Sequence, residues 1–176
     1  MVVTDYMHHD KYMSMIATIK ILKELFIKYP TVNILHLFSD GAAQHFKQRF
    51  FFNGVTMLPT ILGMEQLKIT YDFTATSHGK GAVDGIGGSA KRGVMAKVLS
   101  RQEIVKTAAD FALTGAAACP GIRFIHVSKA EVEDYMADLD DLAFSGARHL
   151  PGIRNVHHLE VSLNFDNFTS FLSFAS

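Results

Sequence analysis

Residues 75–92 read ATSHGKGAVDGIGGSAKR and gather one carboxylate, Asp84, with His78, Lys80, Lys91 and Arg92. A second carboxylate, Asp40, closes the earlier segment Phe38-Ser39-Asp40-Gly41. Carboxylates that converge at one edge of a sheet can hold divalent cations, and a pair of Mg2+ or Mn2+ ions stabilises the attacking and leaving oxygens of a phosphoryl transfer. The glycines of the segment permit close approach of backbone to a ligand, and the basic side chains are candidate phosphate contacts. An isolated Asp-Gly pair more often caps a helix or makes a turn, however, and a basic loop more often carries only solvated charge.

Neither nucleotide fingerprint is met. The Walker loop needs four residues between its first glycine and Gly-Lys-Ser/Thr, a spacing absent around Lys80. Gly79, Gly81 and Gly85 give GxGxxxG rather than the dinucleotide pattern GxGxxG. Ser77-His78 has no orienting acid at a recognisable spacing and no GxSxG elbow occurs, which argues against serine hydrolase chemistry. Lys47 and Arg49 follow Asp40 and can add to a basic rim, although charges on a surface helix are usually only solvated. The pairs His8-His9 and His157-His158 place adjacent rings on different faces, so neither chelates one metal; they read as structural or surface residues.

These residues need a scaffold, and the chain predicts an α/β one. Val2-Val3-Thr4-Asp5 reads as the end of a strand whose partners lie upstream, a truncated start. Tyr12, Ile16, Ile19, Leu22 and Phe26 recur at helical period over residues 10–29, with Pro30 as the stop. Residues 32–38 form a nearly continuous apolar run, as expected of a buried central strand, with Asp40 at its C-terminal edge. A helix is predicted over 43–52, and Ile69, Tyr71, Phe73 and Ala75 alternate along a strand over 67–76. Residues 83–98 read as a helix despite Gly85, Gly87 and Gly88, each costing ~1 kcal/mol against alanine. Ser100 with Glu103 and Ser128 with Glu131 resemble capping boxes opening helices over 101–113 and 129–143, around a strand at 122–127. A strand at 156–163 precedes a Phe-rich end with no assigned element.

The 176 residues, 48% hydrophobic, suffice for one good-sized core. No apolar run reaches the ~18 residues of a membrane span, and no secretory signal is visible, so no membrane partner is expected. A single cysteine, Cys119, fits an intracellular, reducing compartment and excludes a cysteine-based zinc site. Residues 1–106 hold 13 Lys+Arg against 8 Asp+Glu, and residues 107–176 hold 4 against 9. That asymmetry is compatible with an anionic partner on the N-terminal half.

Three blocks together carry a resemblance: Val3-Thr4-Asp5 with His9-Asp10-Lys11; Phe38-Ser39-Asp40-Gly41-Ala42 with Phe46-Lys47; and the segment 75–92 itself. They resemble a family of animal transposable-element-derived proteins with an RNase H-like, DDE-type transposase or integrase core. The likeness covers most of the chain and departs from the family pattern at Gln44-His45, Gln48, Tyr71 and Val83. It implies a three-layer fold, a central mixed sheet with helices on both faces, lacking its first strands. Residues 1–145 would form the core fragment and 146–176 a C-terminal extension. It further implies Asp40 as the second metal ligand and catalytic acid and Asp84 as the third, with the first upstream of Met1 and Asp5 a poor substitute for it. The implied function is DNA phosphodiester chemistry with Mg2+ or Mn2+, in a nuclear setting, by a chain inactive on its own. DNA is the implied partner, contacted through Lys47, His78, Lys80, Lys91 and Arg92, and a homo-oligomer is compatible with this reading. Two other classes stand beside it: a domesticated or decayed fragment that only binds nucleic acid or protein, and a small nucleotide-binding α/β protein.

Overall fold

A computed structural model describes residues 1–40, 46–74, 82–164 and 169–175, and the side chains of most of them. The protein is a mixed α/β chain of helices with a small mixed sheet. It divides into two compact units that interleave along the sequence: Met1–His8 with Lys80–Asp134, and His9–Gly79 with Tyr135–Ser176. Residues 146–176 thus lie with His9–Gly79.

In the unit containing His9–Gly79, helix α1 (Lys11–Lys28) opens at Asp10, whose carboxylate accepts the Met13 N–H at 3.0 Å. Met15, Ile16, Ile19, Leu22 and Phe26 form its buried stripe. Strands β2 (Ile34–Asp40) and β3 (Lys68–Thr74) pair in parallel, from Ile34 opposite Lys68 to Asp40 opposite Thr74. Helix α2 (Arg49–Ile61) joins them and buries Phe51, Phe52, Val55 and Leu58. Phe52 stacks on Phe73 at 5.6 Å and Phe51 meets Tyr71 at 5.7 Å, which fixes α2 over the inner face of β3. Beyond β3 the sheet continues antiparallel through β5 (His158–Asn164) and β6 (Thr169–Ala175), giving the order β2-β3-β5-β6.

Period-two alternation sends Leu35, Ile69, Tyr71, Phe73, Leu159 and Val161 inward. On the opposite face Ile34 is 51% and Phe38 69% exposed, and His36, Lys68 and Glu160 are exposed beside them. A buried central strand was expected over residues 32–38; β2 instead lies at one end of the sheet, with Ile34 and Phe38 exposed.

In the other unit, β1 (Val2–Thr4) pairs in parallel with β4 (Ile125–Val127) as a separate two-stranded sheet. Helices α3 (Ala82–Leu99) and α4 (Ala108–Ala118) pack through Ala90, Ala112 and Phe124, with Met1, Val3, Phe111, Cys119 and Ile122 around them. The Phe124 ring lies so close to Gly115 that a Cβ there would come within 2.5 Å of it.

Two helix starts differ from expectation. Helix α2 begins at Arg49 and runs to Ile61 through Pro59, instead of spanning 43–52; residues 43–45 lie outside the described residues. Ser100 does not open a helix: its hydroxyl donates back to the Lys97 carbonyl, and Arg101 at φ +57° closes α3. The true capping box comes later, where Thr107 Oγ1 accepts the Asp110 N–H and Asp110 accepts the Thr107 N–H. Ser128 does cap the last α-helix, α5 (Lys129–Leu139), accepting the Glu131 N–H at 3.2 Å.

A wider π-helical turn, Asp140–Phe144, follows α5. Asp140 accepts the Tyr12 hydroxyl at 2.9 Å and pairs with Lys11 at 3.2 Å, while the Lys11 ammonium lies over the rings of Tyr12, Phe50 and Phe144. The Tyr12 hydrogen bond, and then Lys11, hold the Asp140 carboxyl below the usual carboxylate range.

Candidate metal and nucleic-acid site

Asp40 is the last residue of β2, at the carboxyl end of a parallel strand pair. Ligands of open α/β sheets bind at such ends. The neighbouring strand closes there too, with the Thr74 hydroxyl donating to the Ser39 carbonyl at 3.2 Å. Lys47 sits in the turn before α2, and only 8% of it is exposed. Its ammonium donates to the Arg154 carbonyl at 3.3 Å and lies 5.2 Å from the centre of the Phe73 ring. Lys47 was expected on a basic rim as a candidate DNA contact; its ammonium is instead buried against the Arg154 carbonyl at the Asp40 end of the sheet. Arg49 is exposed at the start of α2, its guanidinium over the Phe50 ring at 4.6 Å.

Asp84 lies in the first turn of α3 and is exposed. A carboxylate there also complements the helix dipole. Gly88, Lys91 and Arg92 follow at i+4, i+7 and i+8 and share its side of the helix. Lys91 and Arg92 are exposed, and the Arg92 guanidinium donates to the Ser89 hydroxyl at 3.2 Å. It folds across the backbone at Gly88, where a Cβ would sit 3.1 Å from a guanidinium nitrogen. At Gly85 and Gly87 a Cβ would meet no atom of the described residues within 4 Å. Packing among the described residues therefore does not account for these two glycines, although each weakens the helix by ~1 kcal/mol.

Asp5 serves elsewhere. One of its oxygens accepts the Ala108 N–H at 3.0 Å, at the start of α4, and the other meets His126 Nε2 at 2.8 Å. The His126 contact, then the Ala108 amide, lower its pKa. His78 and Lys80, with the rest of 75–81, lie outside the described residues, as does the side chain of Asp40.

The structure thus groups Asp84, Lys91 and Arg92 on one helix face, sets Lys47 at the Asp40 end of β2, and commits Asp5 to a cap. Asp40 and Asp84 belong to different compact units. Among the described residues no group of three or more His, Cys, Asp or Glu side chains is arranged around a common point.

Two polar pairs on the open sheet face were not anticipated: His158 Nδ1 with Asp72 Oδ1 at 2.7 Å, and His36 Nδ1 with Thr70 Oγ1 at 2.6 Å. Asp72 alternates with apolar neighbours, which marks it as outward-facing, but its pairing with His158 spans 86 residues and has no local signal.

A family model matches residues 1–167. The chain belongs to this family, described as a domain of unknown function, DUF8701. No curated protein and no solved structure matches the chain. No described helix is long and apolar enough to cross a membrane.

Proposed function

We propose that this DUF8701 chain is part of a transposase-like nuclease core of RNase H-like ancestry, acting on DNA phosphodiesters through Mg2+ held by Asp40 and Asp84, and inactive alone. The observation that carries the reading is the exposed face of α3, where Asp84 stands in line with Lys91 and Arg92 beside glycines whose Cβ positions are open. The helix offers an acid for a cation, two bases for phosphates and a bare backbone that a strand of DNA can approach closely. The bound cations would supply charge neutralisation at the attacking and leaving oxygens. The residues position the phosphate and hold the cations.

Mn2+ titration by calorimetry, with plasmid nicking in parallel, tests the reading. Binding is expected in the intact chain and is weakened in Asp40→Asn and Asp84→Asn. A crystal structure grown with Mn2+ that separates the two carboxyl groups by more than about 10 Å, against the ~4 Å metal pair of a two-metal site, sinks it.

A binding-only role draws on Asp5, whose two oxygens are both engaged by Ala108 and His126, leaving the carboxylate set at two. Metal-dependent nicking by this chain, abolished by Asp40→Ala, would refute that role.

A further inference from the structure

Strand β2 lies at one end of the four-stranded sheet, and among the described residues no strand pairs with its second edge. Natural sheets blunt such edges with lysine, proline, bulges or inward charge, because open amide and carbonyl groups template pairing with another chain. Residues 34–38, Ile-Leu-His-Leu-Phe, contain none of these protections, and Ile34 and Phe38 are both largely exposed. Uncharged and β-prone, the segment is a strand edge suited to another strand.

The order of residues identifies that strand. Ile34-Leu35-His36-Leu37-Phe38 is nearly symmetric about His36, apolar on both sides. We propose that β2 pairs antiparallel with β2 of a second copy of this chain, in the register centred on His36. Each Ile34 then faces the partner copy's residue 38, each Leu35 faces residue 37, and the two residues 36 meet on the dyad. This is the isologous, self-complementary contact that twofold symmetry requires. It covers the exposed Ile34 and Phe38 side chains with each other, and neighbouring apolar cross-strand pairs stabilise sheets.

Charge sets the direction. Parallel, in-register docking would set the two copies of Asp40 side by side, and like charges so placed destabilise a sheet, whereas the antiparallel register centred on His36 sets Asp40 opposite residue 32. A ladder of five residues is a small interface, below the ~1,200 Å2 of stable complexes, so the dimer is weak and concentration-dependent.

Sedimentation equilibrium of the full chain measures it. A monomer–dimer equilibrium is expected, with dimer populated at about 0.1 mM and above, the regime of a small interface. Phe38→Lys and, separately, Ile34→Lys shift the chain to monomer while circular dichroism and the melting temperature stay as in the parent. Both side chains are exposed, so the folded chain tolerates the change. In a Cys119→Ala background, mild oxidation cross-links His36→Cys into dimers, because directly opposed residues lie at disulfide distance. Ser39→Cys, displaced from its own symmetry mate by six residues in this register, does not cross-link. A chain that stays monomeric at about 0.5 mM overturns the proposal. So does a dimer that survives Phe38→Lys, or one in which Ser39→Cys cross-links and His36→Cys does not; those outcomes place the contact on another surface or in another register.

Discussion

The Asp5 carboxylate joins three parts of one unit: it follows β1, meets His126 of β4 at 2.8 Å, and caps the first amide of α4 at Ala108. Its pKa is lowered chiefly by His126, then by that amide. A lowered carboxylate stabilises the folded state above the ordinary aspartate range, and that contribution is lost as pH falls through the folded value. Thermal melts of the parent chain should therefore weaken below about pH 4, and Asp5→Asn should flatten that acid limb. An unchanged acid limb in Asp5→Asn would show that the carboxylate does not couple folding to pH.

Asp140 obeys the same sign. Held low by the Tyr12 hydroxyl and then by Lys11, it contributes above the usual carboxylate range and is lost in acid. Tyr12→Phe removes the larger cause. The pH dependence of unfolding attributable to Asp140 should shrink more in Tyr12→Phe than in Lys11→Met, as read from urea midpoints at pH 3 and pH 7.

Gly115 and Gly85 predict opposite outcomes for one substitution. Gly115→Ala forces a Cβ to within 2.5 Å of the Phe124 ring and should destabilise by about 1–3 kcal/mol, the range for overpacking. Gly85→Ala and Gly87→Ala enter open space on a helix and should each stabilise by up to ~1 kcal/mol. Urea denaturation separates the two groups. Under the proposed function the stabilised variants bind DNA less well, because the added methyl keeps the phosphate backbone away.

Phe52 is fully buried and stacks on Phe73. Phe52→Ala should cost about 3–5 kcal/mol in equilibrium unfolding, the range for a large buried aromatic.

If Lys91 and Arg92 each neutralise a phosphate, replacing either by alanine should weaken DNA binding irrespective of sequence and reduce the salt slope by about 1. A slope unchanged in both variants would remove α3 from the DNA surface.

Elements specified by near neighbours are legible in the sequence. Asp10 before an apolar period gave α1, alternation at Ile69, Tyr71 and Phe73 gave β3, and Ser128 gave the start of α5, since each depends on neighbours within one or two turns. Ser100 misled because a hydroxyl that closes one helix has the same composition as one that opens the next; only the Lys97 carbonyl distinguishes them. The helix through Pro59 and the strand β6 depend on tertiary contacts, with Phe73 for α2 and with β5 for β6. At the candidate site, Asp84 at a helix start was legible. The burial of Lys47 was not, because its carbonyl partner at Arg154 lies 107 residues away.

The order in which the chain visits its two compact units bears on how the protein can be dissected. It passes between them after His8, after Gly79 and after Asp134. Trimming the first eight residues would remove β1 from one unit, and cutting near residue 134 would strip β5 and β6 from the other. Neither unit is a contiguous stretch that a gene deletion can isolate. Insertions and fusions are accordingly better tolerated at a surface turn within a unit than at any of these three crossings.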